Sequence, residues 1–257
     1  MIRSRMKSRT SILLLLFSIS PFFLVGKELK KISRDNVIPG FTETFYVLRS
    51  DTAIRQGSYR LETLGKLVIE GNYKAGMKDS TWIQYNLKGV VRTRGWFKNN
   101  KRAGIWDFFN NSGQLEQEVN FSTGEVPYYQ TIFSKQPFRV TLGKDTLLTV
   151  LDRPPLYLGG SSKLNDDISN EIVLPLHKSG ERVQGTVYVC FTIDSLGKTL
   201  NHHLLRGISN ACNEEAIRVI KSIPNDWMPG VLNGKYVNVE YILPIVFDKN
   251  TPTPELF

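Results

Sequence analysis

The sequence is poor in the residues that most often carry catalysis or bind metal ions. Its 257 residues include two cysteines, Cys190 and Cys212, and three histidines, His177, His202 and His203. Neighbouring residues of a strand point to opposite faces, so His202 and His203 are badly placed to share one metal ion. The sequence also lacks a phosphate-binding loop, a dinucleotide-binding fingerprint, a serine nucleophile elbow and a zinc-protease motif. We therefore expect a non-enzymatic protein with no metal and no cofactor.

Two cysteines are too few for a disulfide framework. Cys190 takes the opposite phase to the apolar residues of its predicted strand, whereas Cys212 lies on the apolar face of a predicted helix. We interpret both as small hydrophobic residues. A disulfide between them is the alternative in an oxidising compartment.

Acidic residues are absent from the N-terminus, because the first one is Glu28. Four basic residues precede an apolar run of 14 residues, Ile12 to Val25. A run of this length is shorter than the ~20 residues that span a bilayer and is typical of a signal-peptide core. Residues 1–26 are therefore predicted to direct secretion. They are either removed or kept as a short anchor that associates the protein with the membrane.

The positive charge gives little support for nucleic-acid binding. The formal net charge is +9, and without the four basic residues before Lys27 it falls to +5. This mild excess accompanies no recognisable nucleic-acid-binding motif. We expect protein partners rather than nucleic acid.

Residues 56–126 contain an internal repeat with a period of 24 residues. The segment GNYKAGMKDSTWIQYNLKG from Gly71 aligns with GWFKNNKRAGIWDFFNNSG from Gly95. The aligned positions pair Gly71 with Gly95, Tyr73 with Phe97, Trp82 with Trp106, Tyr85 with Phe109, and Gly89 with Gly113. Closely spaced aromatic residues and a glycine turn in each unit predict stacked β-hairpins that share an aromatic spine.

No acidic residue occurs between Asp79 and Asp107, and this interval is rich in basic and aromatic residues. One interpretation is a basic surface for an anionic lipid, a glycan or an acidic protein. We favour the alternative, in which the charges face solvent above a structural spine. The candidate surface comprises Arg92, Arg94, Lys98, Lys101 and Arg102.

The last hundred residues predict strand, helix and strand. Apolar residues alternate from Arg182 to Ile193, which predicts a strand with one face against a core. A second strand follows from Leu200 to Leu205. A helix is then predicted over Cys212 to Ile223, with one apolar face and Pro224 at its end. Trp227 is interpreted as a core anchor.

The final strand, Tyr236 to Phe247, alternates again and contains Pro244. Proline has no N–H for a ladder, so this strand is predicted to lie at a sheet edge or to carry a bulge. An edge strand can pair with an incoming peptide. The candidate partner-binding residues are Val237, Asn238, Val239, Glu240, Tyr241 and Ile242.

These C-terminal residues resemble the C-terminal domain of the TonB energy-transducer family. The resemblance rests on Pro155 with Gly159-Gly160, GTVYVCFTID, EAIRVIK, WMPGVLNGK and the closing LPIVF. It implies a small α+β domain in which a helix packs on an antiparallel sheet and which binds an extended peptide of an outer-membrane receptor. The proline-rich segment and the anchor histidine of TonB proper are missing, which argues against energy transduction.

The repeats are similar to bacterial MORN-type repeats, which implies a role in scaffolding or in contact with a partner or a membrane. We therefore expect an α+β chain in five parts. These are a signal or short anchor (1–26), a lead-in segment (27–55), a MORN-like array (56–126), connecting strands (127–152) and a TonB-C-like domain (153–250). The primary hypothesis is strand docking to an outer-membrane receptor or another envelope protein. The alternative is an envelope scaffold that binds through the repeats, with the C-terminal domain forming a homodimer.

Overall fold

The computed structural model describes residues 28–130, 136–175 and 183–248. The predicted signal segment, residues 1–26, lies outside this part of the chain. Across the described ranges, no helix is both long enough and apolar enough to cross a membrane. The described chain is mostly antiparallel sheet with two helices.

Nine strands form the first sheet, and each pairs antiparallel with the next one along the chain. Residues of the lead-in segment contribute the first two strands. The strands are β1 (Leu29–Asp35), β2 (Phe41–Leu48), β3 (Arg55–Thr63), β4 (Lys66–Lys74), β5 (Met77–Tyr85), β6 (Val91–Lys98), β7 (Lys101–Phe109), β8 (Leu115–Asn120) and β9 (Glu125–Tyr129).

The 24-residue period has a direct steric cause in this sheet. A Cβ atom on Gly71 would lie 2.2 Å from the Trp82 ring, and one on Gly95 would lie 2.1 Å from the Trp106 ring. Each indole therefore packs on bare backbone, where only glycine fits. Trp82 also donates from Nε1 to a backbone carbonyl at 3.2 Å, and Trp106 does the same at 3.0 Å. The predicted equivalence of the two units is thus confirmed at these positions.

The predicted aromatic spine is also present. Consecutive rings have centroids between 5.0 and 6.1 Å apart, in edge-to-face arrangements. Such pairs add stability beyond the area that they bury. The rings run across the sheet in the order Tyr59, Tyr73, Trp82, Phe97, Trp106 and Phe121.

The remaining described elements build a second sheet and two helices. They are β10 (Phe138–Leu142), β11 (Asp145–Thr149), β12 (Leu156–Tyr157), α1 (Gly160–Glu171), β13 (Gly185–Ile193), β14 (Thr199–Arg206), α2 (Asn210–Ser222), β15 (Trp227–Met228), β16 (Gly230–Leu232) and β17 (Lys235–Phe247). The second sheet has the strand order β11-β10-β17-β13-β14, with β16 paired to β17. Strands β12 and β15 form a separate pair. The predicted connecting strands thus supply β10 and β11 to the second sheet.

One face of the second sheet forms the main core. Alternate residues of β13 and β17 are almost fully buried there, together with one side of α2. The predicted helix and its apolar face are confirmed. The helix begins two residues earlier than expected because Ser209 accepts a hydrogen bond from the Cys212 N–H at 3.3 Å. Trp227 is buried and contacts the rings of Tyr157, Phe191 and Tyr241, as expected of a core anchor.

Candidate partner-binding strands and the cleft between the sheets

The final strand is an edge over only part of its length: among the described strands, residues 241–247 pair on one side alone, whereas residues 239–240 pair on both. The predicted edge is therefore found at Pro244 and not at residues 239–240. Residues 239–247 of β17 pair with β13, and residues 238–240 pair with β10 on the other side. Val239, for example, lies opposite both Ile193 and Val140. The β10 pairing ends at Glu240, before Pro244 is reached, so the proline does not interrupt that ladder. Among the described strands, Pro244 thus lies where one side of β17 has no strand beside it, as expected for a proline in a sheet.

The six candidate partner-binding residues of β17 divide between two faces. Val237, Val239 and Tyr241 are buried in the cores, with at most 9% of their surface exposed. The other three point away from the helices. Asn238 accepts a hydrogen bond from the Ser195 N–H at 2.9 Å, Glu240 lies 3.7 Å from Arg139, and Ile242 is 44% exposed. A peptide docked here would have to compete with β10.

Strands β14 and β11 stand at the two ends of the second sheet. β14 is the longer of the two, with eight residues against five. Among the strands that the structure describes, it pairs only with β13. It carries three exposed leucines, Leu200, Leu204 and Leu205. An edge of this length with apolar side chains can accept a further strand.

The predicted basic surface is not continuous. Arg92 donates to Asp166 of α1 at 2.8 Å, and Arg94 donates to Asp107 at 2.6 Å. Each of these two charges is therefore balanced by a carboxylate. Lys98 and Lys101 lie opposite each other at the β6–β7 turn. Arg102 lies over the rings of Trp106 and Phe121, at 4.7 and 5.0 Å from their centroids.

Two buried side chains of β8 connect the sheets, and sequence reasoning missed both. Glu116 accepts hydrogen bonds from the N–H and the hydroxyl of Ser162, both at 3.0 Å, at the start of α1. The carboxylate thus binds a backbone N–H at the N-terminus of α1. Gln117 accepts from the Gly159 N–H at 2.7 Å and donates to the Tyr157 carbonyl at 3.3 Å. The β12–α1 segment, which packs in the core of the second sheet, is thus attached to the first sheet by directional polar contacts.

A cleft of about 480 Å³ lies between the first sheet and α1. Its size is in the range of small-ligand sites, and most of its walls are apolar. The Arg92–Asp166 ion pair forms part of its lining. Its lining includes Phe41, Leu61, Ile69 and Phe108 of the first sheet and Leu158, which lies between β12 and α1.

The titratable groups near these features are poorly suited to acid–base or nucleophilic chemistry. Burial, followed by a 2.6 Å hydrogen bond to Glu70, raises the pKa of Tyr85 in the cleft to about 12. Burial and then Glu240 raise the pKa of Cys190 to about 11. Cys190 and Cys212 are both free and buried. Within the described ranges, no group of three or more histidine, cysteine or acidic residues could hold a metal ion.

Comparison with known protein families finds a match to the C-terminal part of the chain. Residues 174–248 match the family of the Gram-negative bacterial TonB protein C-terminal region. No curated protein matches the chain. A solved structure titled "Crystal Structure of TarM" aligns with 37% of this chain and 20% of that chain, at 11% identity and a TM-score of 0.24. A similarity at that level says nothing about function.

Proposed function

We propose that this chain is a non-enzymatic, TonB-like envelope protein that binds an extended segment of a partner as an added strand. The family match over residues 174–248 supports an envelope role with an outer-membrane receptor or another envelope protein as the partner. If the partner is a transport receptor, this protein takes part in that transport by binding it. Energy transduction is not part of the proposal.

The docking strand in this proposal is β14 rather than β17. The single observation that carries it is the position of β14 at the end of the sheet with three exposed leucines. A peptide that pairs with residues 238–240 of β17 would have to displace β10, whereas a peptide that pairs with β14 displaces no described strand. Backbone hydrogen bonds would supply affinity, and alternate side chains of the partner would set specificity.

The test is site-specific photo-crosslinking followed by hydrogen exchange. A photoreactive residue replaces Leu205 on β14, and a matched one replaces Leu148, which is 70% exposed on the opposite edge strand β11. We expect Leu205 to form the partner cross-link and Leu148 not to form it. The cross-linked segment, made as a peptide, should then slow amide exchange in residues 199–206. Protection of residues 235–247 with faster exchange in residues 138–142 would show docking on β17 instead.

A second copy of the chain is an alternative occupant of β14. A homodimer formed through this strand would bury Leu205 at the interface between the two copies. Sedimentation of the purified protein distinguishes the two cases, because a dimer forms without any added partner. Dimerisation that Leu205→Lys abolishes would replace the receptor-docking proposal with a dimer interface.

The scaffold function remains the second candidate, and the contacts of Glu116 and Gln117 favour it. They hold the second sheet in a fixed position on the first, as an adaptor requires. In this proposal the first sheet is a MORN-like array and the main binding surface. Partner capture that survives Leu205→Lys but fails when the first sheet is altered would support it.

Export through residues 1–26 is also a proposal. The N-terminus and intact mass of protein recovered from its native envelope test it. A chain beginning near Lys27 in the soluble periplasmic fraction would show cleavage. A chain that keeps residues 1–26 in the inner membrane would show retention as an anchor.

A further inference from the structure

Three cationic side chains of the first sheet occupy the same position in successive repeats. Each one lies over the aromatic ring four residues later and over a second ring eighteen or nineteen residues later. We call Arg55, Lys78 and Arg102 the cation row. The cation-to-centroid distances are 5.7 and 5.2 Å for Arg55 over Tyr59 and Tyr73, 4.4 and 5.3 Å for Lys78 over Trp82 and Phe97, and 4.7 and 5.0 Å for Arg102 over Trp106 and Phe121.

The row is evenly spaced because its members come from alternate strands, β3, β5 and β7. Neighbouring strands lie about 4.8 Å apart, so successive cations stand roughly 9.6 Å apart across the sheet. All three lie near the same ends of their hairpins. Consecutive turns at that end are joined, for example by the Lys78 N–H donating to Asn100 Oδ1 at 2.7 Å.

The row carries more positive charge than its surroundings neutralise. Arg55 donates to Glu43 at 2.9 Å. Burial lowers the pKa of Arg102, and the negative charge of Asp226 offsets only part of that shift by stabilising the protonated form. In the described part of the chain, the side chains of Lys78 and Arg102 form no ion pair or hydrogen bond with a carboxylate. Burial lowers the pKa of Lys78, and Arg102 and Arg55 lower it further. The cations thus repel one another, and a bound anion would relieve that repulsion.

We propose that the cation row binds an extended acidic peptide that presents a carboxylate at every third residue. A polyproline II helix has three residues per turn and rises about 3.1 Å per residue, so such carboxylates recur every ~9.3 Å. That repeat matches the cation spacing. The half-buried rings of Tyr73 and Phe97 would contact the intervening apolar residues, as aromatic grooves do in other proteins that recognise this helix. This site is independent of strand docking on β14.

The arrangement fits a narrow peptide better than a lipid surface. Side chains that contact a flat lipid surface project from the protein, but these three cations lie over rings whose centroids are 4.1 to 5.7 Å away. Arg55 and Lys78 are also half-buried, whereas Arg102 is exposed. Because the rings already position the cations, binding costs little side-chain entropy. A chain that lies along the row can reach all three.

The first test varies the spacing of the charges in the ligand. A fluorescein-labelled Glu-Pro-Pro repeat peptide is titrated with the full chain, and binding is followed by fluorescence anisotropy. The comparison peptide has the same composition with its glutamates clustered at one end. We expect the Glu-Pro-Pro peptide to bind at least about tenfold more tightly, because it alone can engage every cation. Equal affinities would overturn the proposal by showing non-specific charge attraction.

The second test varies the protein. The pair Lys78→Gln with Arg102→Gln should weaken binding by about a hundredfold, since each charged contact contributes about tenfold. The control pair, Lys66→Gln with Lys88→Gln, removes the same charge from exposed positions at the opposite ends of the hairpins. We expect that pair to weaken binding by less than about threefold, through reduced long-range attraction alone.

The charge-retaining pair Lys78→Arg with Arg102→Lys keeps the test valid if the glutamine variants unfold. It should bind the Glu-Pro-Pro peptide nearly as well as the natural chain. Equal losses in the row and control pairs would overturn the proposal. So would binding to phosphatidylglycerol vesicles that depends on the row while neither peptide binds, which would assign the row to a membrane surface.

Discussion

The two sheets differ in how far apart in the chain their neighbouring strands lie. In the first sheet every strand pairs with the next one along the sequence. In the second sheet β17 lies between β13 and β10, so that Glu240 is opposite both Thr192 and Arg139. The first sheet is therefore a series of local contacts, and the second closes only when distant segments meet.

This difference should determine how far a defect spreads. A repeat array is stabilised mainly by contacts between neighbouring units, so damage to one hairpin should affect the adjacent hairpins most. A sheet closed by distant strands loses a shared core when any one of them is disturbed. Substitutions in each sheet can test this contrast, beginning with the largest expected effect.

Gly95→Ala should destabilise the protein more than any of the other single substitutions proposed for the two sheets. Its Cβ would lie 2.1 Å from the Trp106 ring, which cannot move without breaking the spine. We expect a loss of about 3 kcal/mol in the free energy of unfolding, the upper end of ordinary overpacking. Denaturant unfolding gives the size of the loss. Hydrogen exchange should show it concentrated in β5 to β8.

Gly76→Asn is the matched control in the same sheet. Gly76 has a φ of 81° in the β4–β5 turn and has open space where a Cβ would be. Asparagine tolerates this left-handed conformation, so the change should be within about 1 kcal/mol of neutral. Equal losses at the two positions would mean that the indole contact does not explain the repeat.

Val140→Ala should produce the next largest effect, and it should spread. Val140 is fully buried on β10 and packs with Val237, Val239 and Leu151. Removing its methyl groups leaves a cavity, which should lower the free energy of unfolding by about 2 kcal/mol. Exchange should accelerate in β17 and β13 together. Leu148→Ala, at an exposed position on β11, should change stability by less than about 0.5 kcal/mol.

Local features of the fold could be predicted from the sequence, whereas distant pairings could not. The fixed period of 24 residues predicts stacked hairpins with a shared aromatic spine, and the spacing of apolar residues predicts the buried face of α2. The partner of Val239 on β10 is nearly a hundred residues away, and no local pattern encodes it. Pro244 predicts an edge, which is found over residues 241–247 among the described strands, but it does not reveal that residues 239–240 are paired on both sides.

The contact between the sheets was missed for a different reason. Glu116 and Gln117 are adjacent, and both are buried, although neighbouring residues of a regular strand face opposite sides. The ladder shifts register between Phe108 and Phe109 of the adjoining strand, which interrupts the alternation. Two polar residues in a short strand are normally assigned to a solvent-exposed face. Only the tertiary structure shows the backbone groups that they bond.

Gln117→Leu should uncouple the two sheets. The leucine can neither accept from the Gly159 N–H nor donate to the Tyr157 carbonyl, so two buried backbone groups lose partners. We expect the free energy of unfolding to fall by about 1–2 kcal/mol. We also expect the two sheets to unfold in two separate thermal transitions. Differential scanning calorimetry measures both. Gln114→Leu, at an exposed turn, should leave a single transition at nearly the original temperature.

The smallest predicted effect is a pH dependence confined to the second sheet. Burial, and then Lys221, lower the pKa of His202, whose Nε2 is buried without a hydrogen-bond partner and whose ring stacks on Phe191. Between the ordinary value of 6.5 and the lowered folded value, the unfolded chain binds more protons than the folded chain. Stability should therefore be constant above that window and fall as the pH decreases through it. His202→Gln should remove this slope, and His203→Gln, at the exposed neighbouring position, should retain it. A slope that follows His203 instead, or one seen equally in the exchange of both sheets, would contradict the assignment to a buried imidazole in the second sheet.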